Sequence, residues 1–403
     1  MTRRDGPAPA SDQHRRADGN YDVVVIGGGV IGLATAWKVA ARGLRVAVVD
    51  PEPGRGASWA AAGMLAPVSE VHHGEESLLA LALASARRWP AFEAELTAAV
   101  GRGIGYRTSG TLVVAADDGD RAWAQELFEF QRELGLGVEW LTGRRARDLE
   151  PNIAPGVRGA IWAPGDHQVD NRLLVGALLE VSSSTGVALH RARAVAVECS
   201  GAAVSGVALE TGTTLRAGAV VLAAGSWSGQ LDGLPPGAVP MVRPVKGQIL
   251  RLLPAEGAPV LTSTVRGMVQ GSSVYLVPRL DGTVVVGATV EERGFDTAVT
   301  AGATYELLRD AHRVVPGVTE MVLGEISTGL RPGSPDNAPI VGRPAVPGVD
   351  GLVVATGHYR QGILLAPLTA AAVAAIVSGD EPPEEMVPFA PRRVTEMAAG
   401  AGS

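Results

Sequence analysis

The sequence predicts an α/β protein in which a Rossmann-like domain, organised on a parallel sheet, is interleaved with an α+β domain on an antiparallel sheet. Three observations carry this expectation. A β-branched run at 21–26 passes through Gly27-Gly28-Gly29-Val30-Ile31-Gly32 into a helical stretch and a second β-branched run, the right-handed strand-helix-strand unit that opens a doubly wound sheet. Much later, the apolar run Ala219-Val220-Val221-Leu222-Ala223-Ala224 stops at Gly225-Ser226, as a buried strand returning to that sheet does. Beyond it, residues 241–330 alternate short β-rich runs with turns, the pattern of a separate antiparallel sheet.

In order along the chain, residues 1–20 are polar and lack an apolar stretch. They read as a disordered tail, and the Arg3-Arg4 pair as no export signal. A helix over 33–42 is closed by Gly43, and a strand over 45–49 ends at Asp50. Residues 75–150 read as helical and mixed, with helices at 75–96 and 121–134, and residues 195–224 as short strands. In the second sheet, strands fall at 248–253, 274–278 and 283–286, and a helix near 305–313. Arg331-Pro332 is followed by a turn-rich stretch to Gly342, a strand at 352–355 and an apolar helix at 363–377. That run contains Pro367 and Thr369 and is shorter than the roughly 20 residues a membrane span requires. The expected boundaries are a cofactor domain from 21–85, 150–235 and 325–385, a substrate domain from 86–149 and 236–324, and a flexible tail at 386–403.

Composition narrows the function. With 46% hydrophobic and 19% charged residues, the chain can bury a large core. The 52 glycines show no repeat period and suit tight turns and close backbone approach to a ligand. A net charge of -7 argues against nucleic acid or an anionic membrane as partner. Lysine occurs only at Lys38 and Lys246, a compositional bias that weakens any single arginine as a signal. One cysteine, Cys199, excludes an intrachain disulfide and suits a reducing cytoplasm. No histidine pair has metal-ligand spacing supported by a third residue, so no metal is implied.

In Gly27-x-Gly29-x-x-Gly32 the first glycine allows the turn, the second admits a pyrophosphate, and the third lets helix and strand pack closely. The helix N-terminus around Ile31 offers amide donors and positive potential. Asp50, 18 residues after Gly32, is placed to accept both ribose hydroxyls. The dinucleotide is then NAD or FAD. Small residues directly after Asp50, in Arg55-Gly56-Ala57-Ser58-Trp59-Ala60-Ala61-Ala62-Gly63-Met64, would let backbone lie against a bulky prosthetic group, which favours FAD.

That segment, the turn Ala223-Ala224-Gly225-Ser226-Trp227-Ser228, and Gly357-His358-Tyr359-Arg360-Gln361-Gly362-Ile363-Leu364 resemble, in the same order, the D-amino acid oxidase superfamily. With Gly329-Leu330-Arg331-Pro332 before the last motif, the resemblance over 21 to about 380 is to the glycine oxidases of thiamine biosynthesis. It implies non-covalent FAD, held by Gly27, Gly29, Ile31, Gly32, Asp50, Arg55, Ala57, Ser58, Ala62, Gly63, Met64, Val195, Ala224, Gly225, Trp227, Gly357, His358, Arg360, Gln361, Gly362, Ile363 and Leu364. The helix starting near Gly362 would turn its N-terminus toward the negative charge of a reduced flavin.

An amino-acid oxidase must grip a carboxylate while leaving the amine free. The planar guanidinium of arginine does this with two charge-assisted bonds. Arg331 matches the carboxylate-binding arginine of the family, Tyr275 its substrate-facing tyrosine, Arg360 a residue closing over the same group, and Met64 an apolar residue near the flavin. Where the family pattern has histidine two residues before the tyrosine, this chain has Ser273. His358 would contribute backbone contact rather than a base, because hydride transfer from a neutral amine needs none.

The resemblance implies oxidation of glycine, sarcosine or small D-amino acids with O2 as acceptor, thiazole synthase as partner, and a cytoplasmic homotetramer. A D-amino acid dehydrogenase, a sarcosine oxidase and a non-catalytic flavin-binding assembly protein remain open alternatives.

Overall fold

The computed structural model describes residues 19–258, 260–394 and 397. The expected tail at 1–20 lies outside these residues except for its last two. Of those, Asn20 already opens a strand, Asn20–Ile26.

That strand is central to an eight-stranded sheet whose main path of six is ordered Ile340–Gly342, Leu352–Thr356, Thr214–Leu222, Asn20–Ile26, Val46–Val49 and Ala188–His190, with Ala203–Leu209 and Ala194–Ser200 branching from Thr214–Leu222. All neighbours on this path run parallel except the first pair. Because side chains alternate along a strand, the β-branched run Val23-Val24-Val25-Ile26 serves two cores at once. Val23 and Val25 pack with the helices Val30–Ala40, Glu76–Val100, Asn171–Ser184 and Gly362–Val377. Val24 and Ile26 pack instead with the antiparallel strands Ala194–Ser200 and Ala203–Leu209. The sheet therefore has helices on one face and strands on the other, not the helices on both that a doubly wound sheet carries.

The second sheet is ordered Val322–Gly333, Arg243–Leu253, Val284–Gly287, Ser272–Pro278, Thr264–Val269, Thr111–Ala115, Gly159–Ala163 and Glu139–Thr142. Its pairs are antiparallel except for Thr264–Val269 with Thr111–Ala115. One face buries Leu250, Leu276 and Val286 against Leu307, Ala311 and Val314 of the helix Ala301–Val314. Ile249, Val277 and Val285 on the opposite face meet Ala62 and Met64, so the inter-sheet space lies there.

Several elements depart from the sequence expectation. Strands at Gly159–Ala163 and Val322–Gly333 belong to the second sheet, although both fall largely within segments assigned to the cofactor domain. Arg331 lies on a strand that the sequence did not predict, Val322–Gly333, paired along Arg243–Leu253, and the expected turn-rich stretch follows it. Residues 386–394 are no flexible tail: Met386 is 1% exposed, Phe389 packs on the helix layer, and Val394 packs on Ile340 and Val354. The apolar segment at the C-terminal motif extends over Tyr359–Val377, 19 residues and long enough to cross a membrane, but 72% of its most apolar window is buried in the protein. Trp89 and Ser85 both donate to the Leu364 carbonyl, which ties this helix into the core.

Candidate active site

Between the two sheets runs a cavity of about 770 Å³, lined from Gly27 and Asp50 at one end to Tyr275 and Arg331 at the other. At the Asp50 end the walls are main chain. Gly27 has φ +107°, and a Cβ there would collide with the Ala223 backbone. One on Gly32 would strike the Gly27 carbonyl. Asp50 accepts from the Gly28 amide at 2.7 Å and the Glu52 amide at 2.8 Å, which fixes its carboxylate while each oxygen keeps a further lone pair for a ligand. Helix geometry leaves the first-turn amides without partners inside the helix. Ser58 Oγ takes the Val30 amide at 3.0 Å, and the amides of Ile31 and Gly32 have no acceptor within the helix.

Along the middle of the cavity, Ala57, Ser58, Ala62, Gly63 and Met64 form one wall, and Ala224, Gly225, Trp227, Gly362 and Ile363 stand among the others. Small size is required here: a Cβ on Gly329 would sit 2.8 Å from that of Ala60. These features fit an extended dinucleotide with a planar ring system. A pyrophosphate meets free amides, a ribose meets Asp50, and the ring finds the small residues Ala57, Ser58, Ala62 and Gly63 along one wall. The Gly362–Val377 helix starts at the cavity with no acidic residue in its first turn, so its positive end faces the space.

The structure separates some expected residues from the lining. Gly32 acts behind the cavity through helix packing. Val195 is 37% exposed, and its neighbours Arg193 and Ala194 reach the cavity instead. Gly357, Gln361 and Leu364 are not on the wall; Gly357 adopts φ +73° against Ile340 and Ser334, which orients the loop carrying His358 and Arg360. His358 Nε2 is engaged with Thr369 Oγ1 at 3.0 Å, and burial drives its pKa down to about 3.

At the far end, Arg331 enters from Val322–Gly333. Its Nη1 donates to the Thr289 carbonyl at 3.0 Å, and among the described residues no carboxylate lies in ion-pair range. A Cβ on Gly247 would occupy the guanidinium's position, so that glycine makes the room. Gly287 does the same for the Tyr275 ring. Burial raises the Tyr275 pKa, opposed by the charge and hydrogen bond of Arg331. Arg360, expected to close over a substrate carboxylate, is already held by Glu75 at 2.7 Å.

Sequence reasoning missed Glu70, His72 and Arg266 in this wall. Arg266 and Glu70 approach to 2.8 Å and are both mostly buried. His72 is kept neutral first by burial and then by Arg360. No spacing rule joins a loop at 70 to a strand at 266, so only the fold reveals the pair. Cys199 is exposed on the strand Ala194–Ser200 and lines no part of the cavity.

Comparison with known proteins agrees with this geometry. Residues 22–376 match the family model for FAD dependent oxidoreductase, DAO. A glycine oxidase of Geobacillus kaustophilus is 37% identical over 372 residues, covering 92% of this chain and 96% of its own. A crystal structure of glycine oxidase from that organism superposes with a TM-score of 0.84 at 36% identity, over 92% of this chain and 98% of the other. A bifunctional protein ThiO/ThiG of Nostoc is 35% identical over 88% of this chain, which spans about half of that longer protein (52%). Hydrogen cyanide synthase subunit HcnC of Pseudomonas aeruginosa is 32% identical over 94% of this chain and 98% of its own. The chain is therefore an enzyme of the DAO family of FAD-dependent oxidoreductases.

Proposed function

We propose that this enzyme oxidises glycine, and with it sarcosine or small D-amino acids, to an imine. Water hydrolyses the glycine imine to glyoxylate and ammonia, while O2 is reduced to H2O2. The observation that carries this reading is Arg331: a cation without a carboxylate partner among the described residues, beside the half-buried Tyr275, at the end of a cavity whose other end suits a dinucleotide.

When bound, FAD supplies the two-electron acceptor and the route of those electrons to oxygen. The chain's own residues bind and orient. Arg331 holds the substrate carboxylate, and Tyr275, kept protonated by burial, donates a second bond to it. Met64, Ile249 and Ala288 line the wall beside Tyr275 and exclude water. His358 is committed to Thr369, so proton removal falls to solvent or to binding of the neutral amine. Cys199 lies away from the cavity, which removes a cysteinyl link to the flavin and supports non-covalent attachment.

The similarity to ThiO/ThiG proteins supports a role in supplying the imine to a thiazole synthase for thiamine. A cytoplasmic location fits a lone exposed cysteine.

The test is the visible spectrum of the purified holoenzyme during anaerobic addition of glycine, followed by air. Bleaching and then recovery with one H2O2 per turnover is the expected outcome. Bleaching that air does not reverse would favour a dehydrogenase, and no bleaching by glycine, sarcosine or D-alanine would overturn the proposal.

A further inference from the structure

Behind the cavity wall lies a buried guanidinium that does not reach the substrate space. Arg279, directly after the strand Ser272–Pro278, is 6% exposed and lines no part of the cavity. Its Nη2 donates to the Ala62 carbonyl at 2.6 Å and to Asn171 Oδ1 at 3.1 Å. Its Nη1 donates to Gln168 Oε1 at 3.0 Å and to the Val169 carbonyl at 3.3 Å. Asn171, itself buried, donates to the carbonyls of Ser58 and Trp59 at 2.8 Å. The small-residue wall is thus gripped from behind by its carbonyl oxygens.

A grip alone needs no charge, since the neutral amide of Asn171 holds two carbonyls of the same segment. Burying a guanidinium is costly, yet Arg279 keeps its proton at neutral pH: burial lowers its pKa only to about 10. The surrounding cluster is neutral as a group, with Arg172, Arg251 and Arg279 against Asp170, Asp281 and Glu325. Asp170 comes no nearer to Arg279 than 3.6 Å, at Nε, and that nitrogen makes no hydrogen bond. What Arg279 does to the cavity is therefore local, exerted through the carbonyl it touches rather than through a net field.

That carbonyl belongs to the Ala62–Gly63 peptide. The peptide is trans, so its N–H points opposite to its C=O, away from Arg279. Ala62 and Gly63 both line the cavity, and the Gly63 amide has no acceptor among the described residues. On either side, Ala62 and Met64 pack with Ile249 and Tyr275, which puts this amide near the substrate end, where a redox-active ring has to lie to meet an amine. A hydrogen bond from a cation to one end of a peptide strengthens the donor at the other end.

We propose that Arg279 is a positioning residue that polarises the Ala62–Gly63 peptide, so that the Gly63 amide stabilises the electron-rich reduced flavin over the oxidised one and raises its reduction potential. Hydrogen bonds to the ring are a means by which a protein tunes this cofactor. The inference goes beyond the glycine reading: it rests on FAD, which the family supplies, and not on the identity of the amine.

The test is the midpoint potential of the bound flavin, measured on the substrate-free holoenzyme by equilibration with a reference dye. Arg279→Met, similar in length and uncharged, should lower the potential by about 30 mV, a tenfold shift in a two-electron equilibrium. Arg279→Lys should recover most of that fall. A brace with no electrostatic role would change flavin content or Tm and leave the potential of the flavin that stays bound where it was. Asp170→Asn keeps the side-chain oxygen that caps the helix Asn171–Ser184 and removes the acid nearest Arg279, so it should raise the potential. If Arg279→Met retains no flavin, Asp170→Asn decides: a potential unchanged or lowered overturns the assignment. An Arg279→Met flavin at or above the wild-type potential also overturns it, and so does a fall that Arg279→Lys repeats in full. Because no amine is present, failure of glycine to reduce the flavin would defeat the substrate reading and leave this test intact.

Discussion

At the Asp50 end of the cavity, glycines and main-chain amides do the holding, and the residues concerned lie between Gly27 and Glu52. At the Arg331 end the working groups are side chains from distant places: Glu70 from a loop, Arg266 and Tyr275 from neighbouring strands, and Arg331 from the strand Val322–Gly333. The first end depends on the absence of side chains and is broken by adding a single carbon. The second depends on particular functional groups and is altered by exchanging them while the backbone stands.

Substitutions can sharpen or break that contrast. The largest effect is expected from Gly32→Ala, whose methyl would land on the Gly27 carbonyl. The required backbone shift costs about 3 kcal/mol or more, and the purified protein should lack flavin absorbance. A variant with full flavin content would show that the turn yields more than its packing implies. Arg331→Ala should leave flavin content intact but remove about 1.5–3 kcal/mol of charge-assisted binding, raising KM for glycine roughly tenfold to a hundredfold; unchanged steady-state kinetics would remove Arg331 from the site. Tyr275→Phe deletes a neutral donor and should lower kcat/KM roughly two- to tenfold, with thermal stability close to the parent's.

The smallest effect concerns Asp166, which holds the loop before Glu70 by accepting from the amides of Val68 and Ser69 at 3.0 and 2.7 Å. Burial raises its pKa from 3.8 to about 6, so the folded state binds that proton more tightly than the unfolded state does. The resulting stabilisation is full below the unfolded value and is lost as pH rises through about 6. Relative to Asp166→Asn, the wild type should therefore lose a few degrees of Tm between pH 4 and 7, measured by calorimetry. Parallel Tm profiles would mean that the loop is not held through this carboxyl.

The same contrast explains what was legible in the sequence. The glycine turn, Asp50 and the small-residue segment were readable because each acts through local backbone geometry, which spacing encodes. Residues Ala194 and Arg193 were misplaced by one or two positions in favour of Val195, because the direction a strand residue faces depends on its partners. Arg331 was identified, but the strand that carries it was not: Gly329, Pro332 and Gly333 are poor strand formers, and pairing with Arg243–Leu253 overrides them. The Glu70–Arg266 pair carried no signal, since an ion pair between a loop and a remote strand leaves no periodicity. The tie of Arg360 to Glu75 was hidden for the same reason.

The cavity wall begins at Ile26 and is not complete until Ile363. During synthesis, the glycine turn and Asp50 emerge long before the strand that carries Arg331 and the helix that starts at Gly362. Asn20–Ile26 must also wait through nearly half the chain before its parallel partner Thr214–Leu222 is made. A nascent chain thus exposes half of a nucleotide site for most of its translation, and such long-range pairing is slow. Cofactor capture becomes a late event in the life of the polypeptide, and chains ending before Gly362 should leave the ribosome without flavin and become substrates for proteolysis.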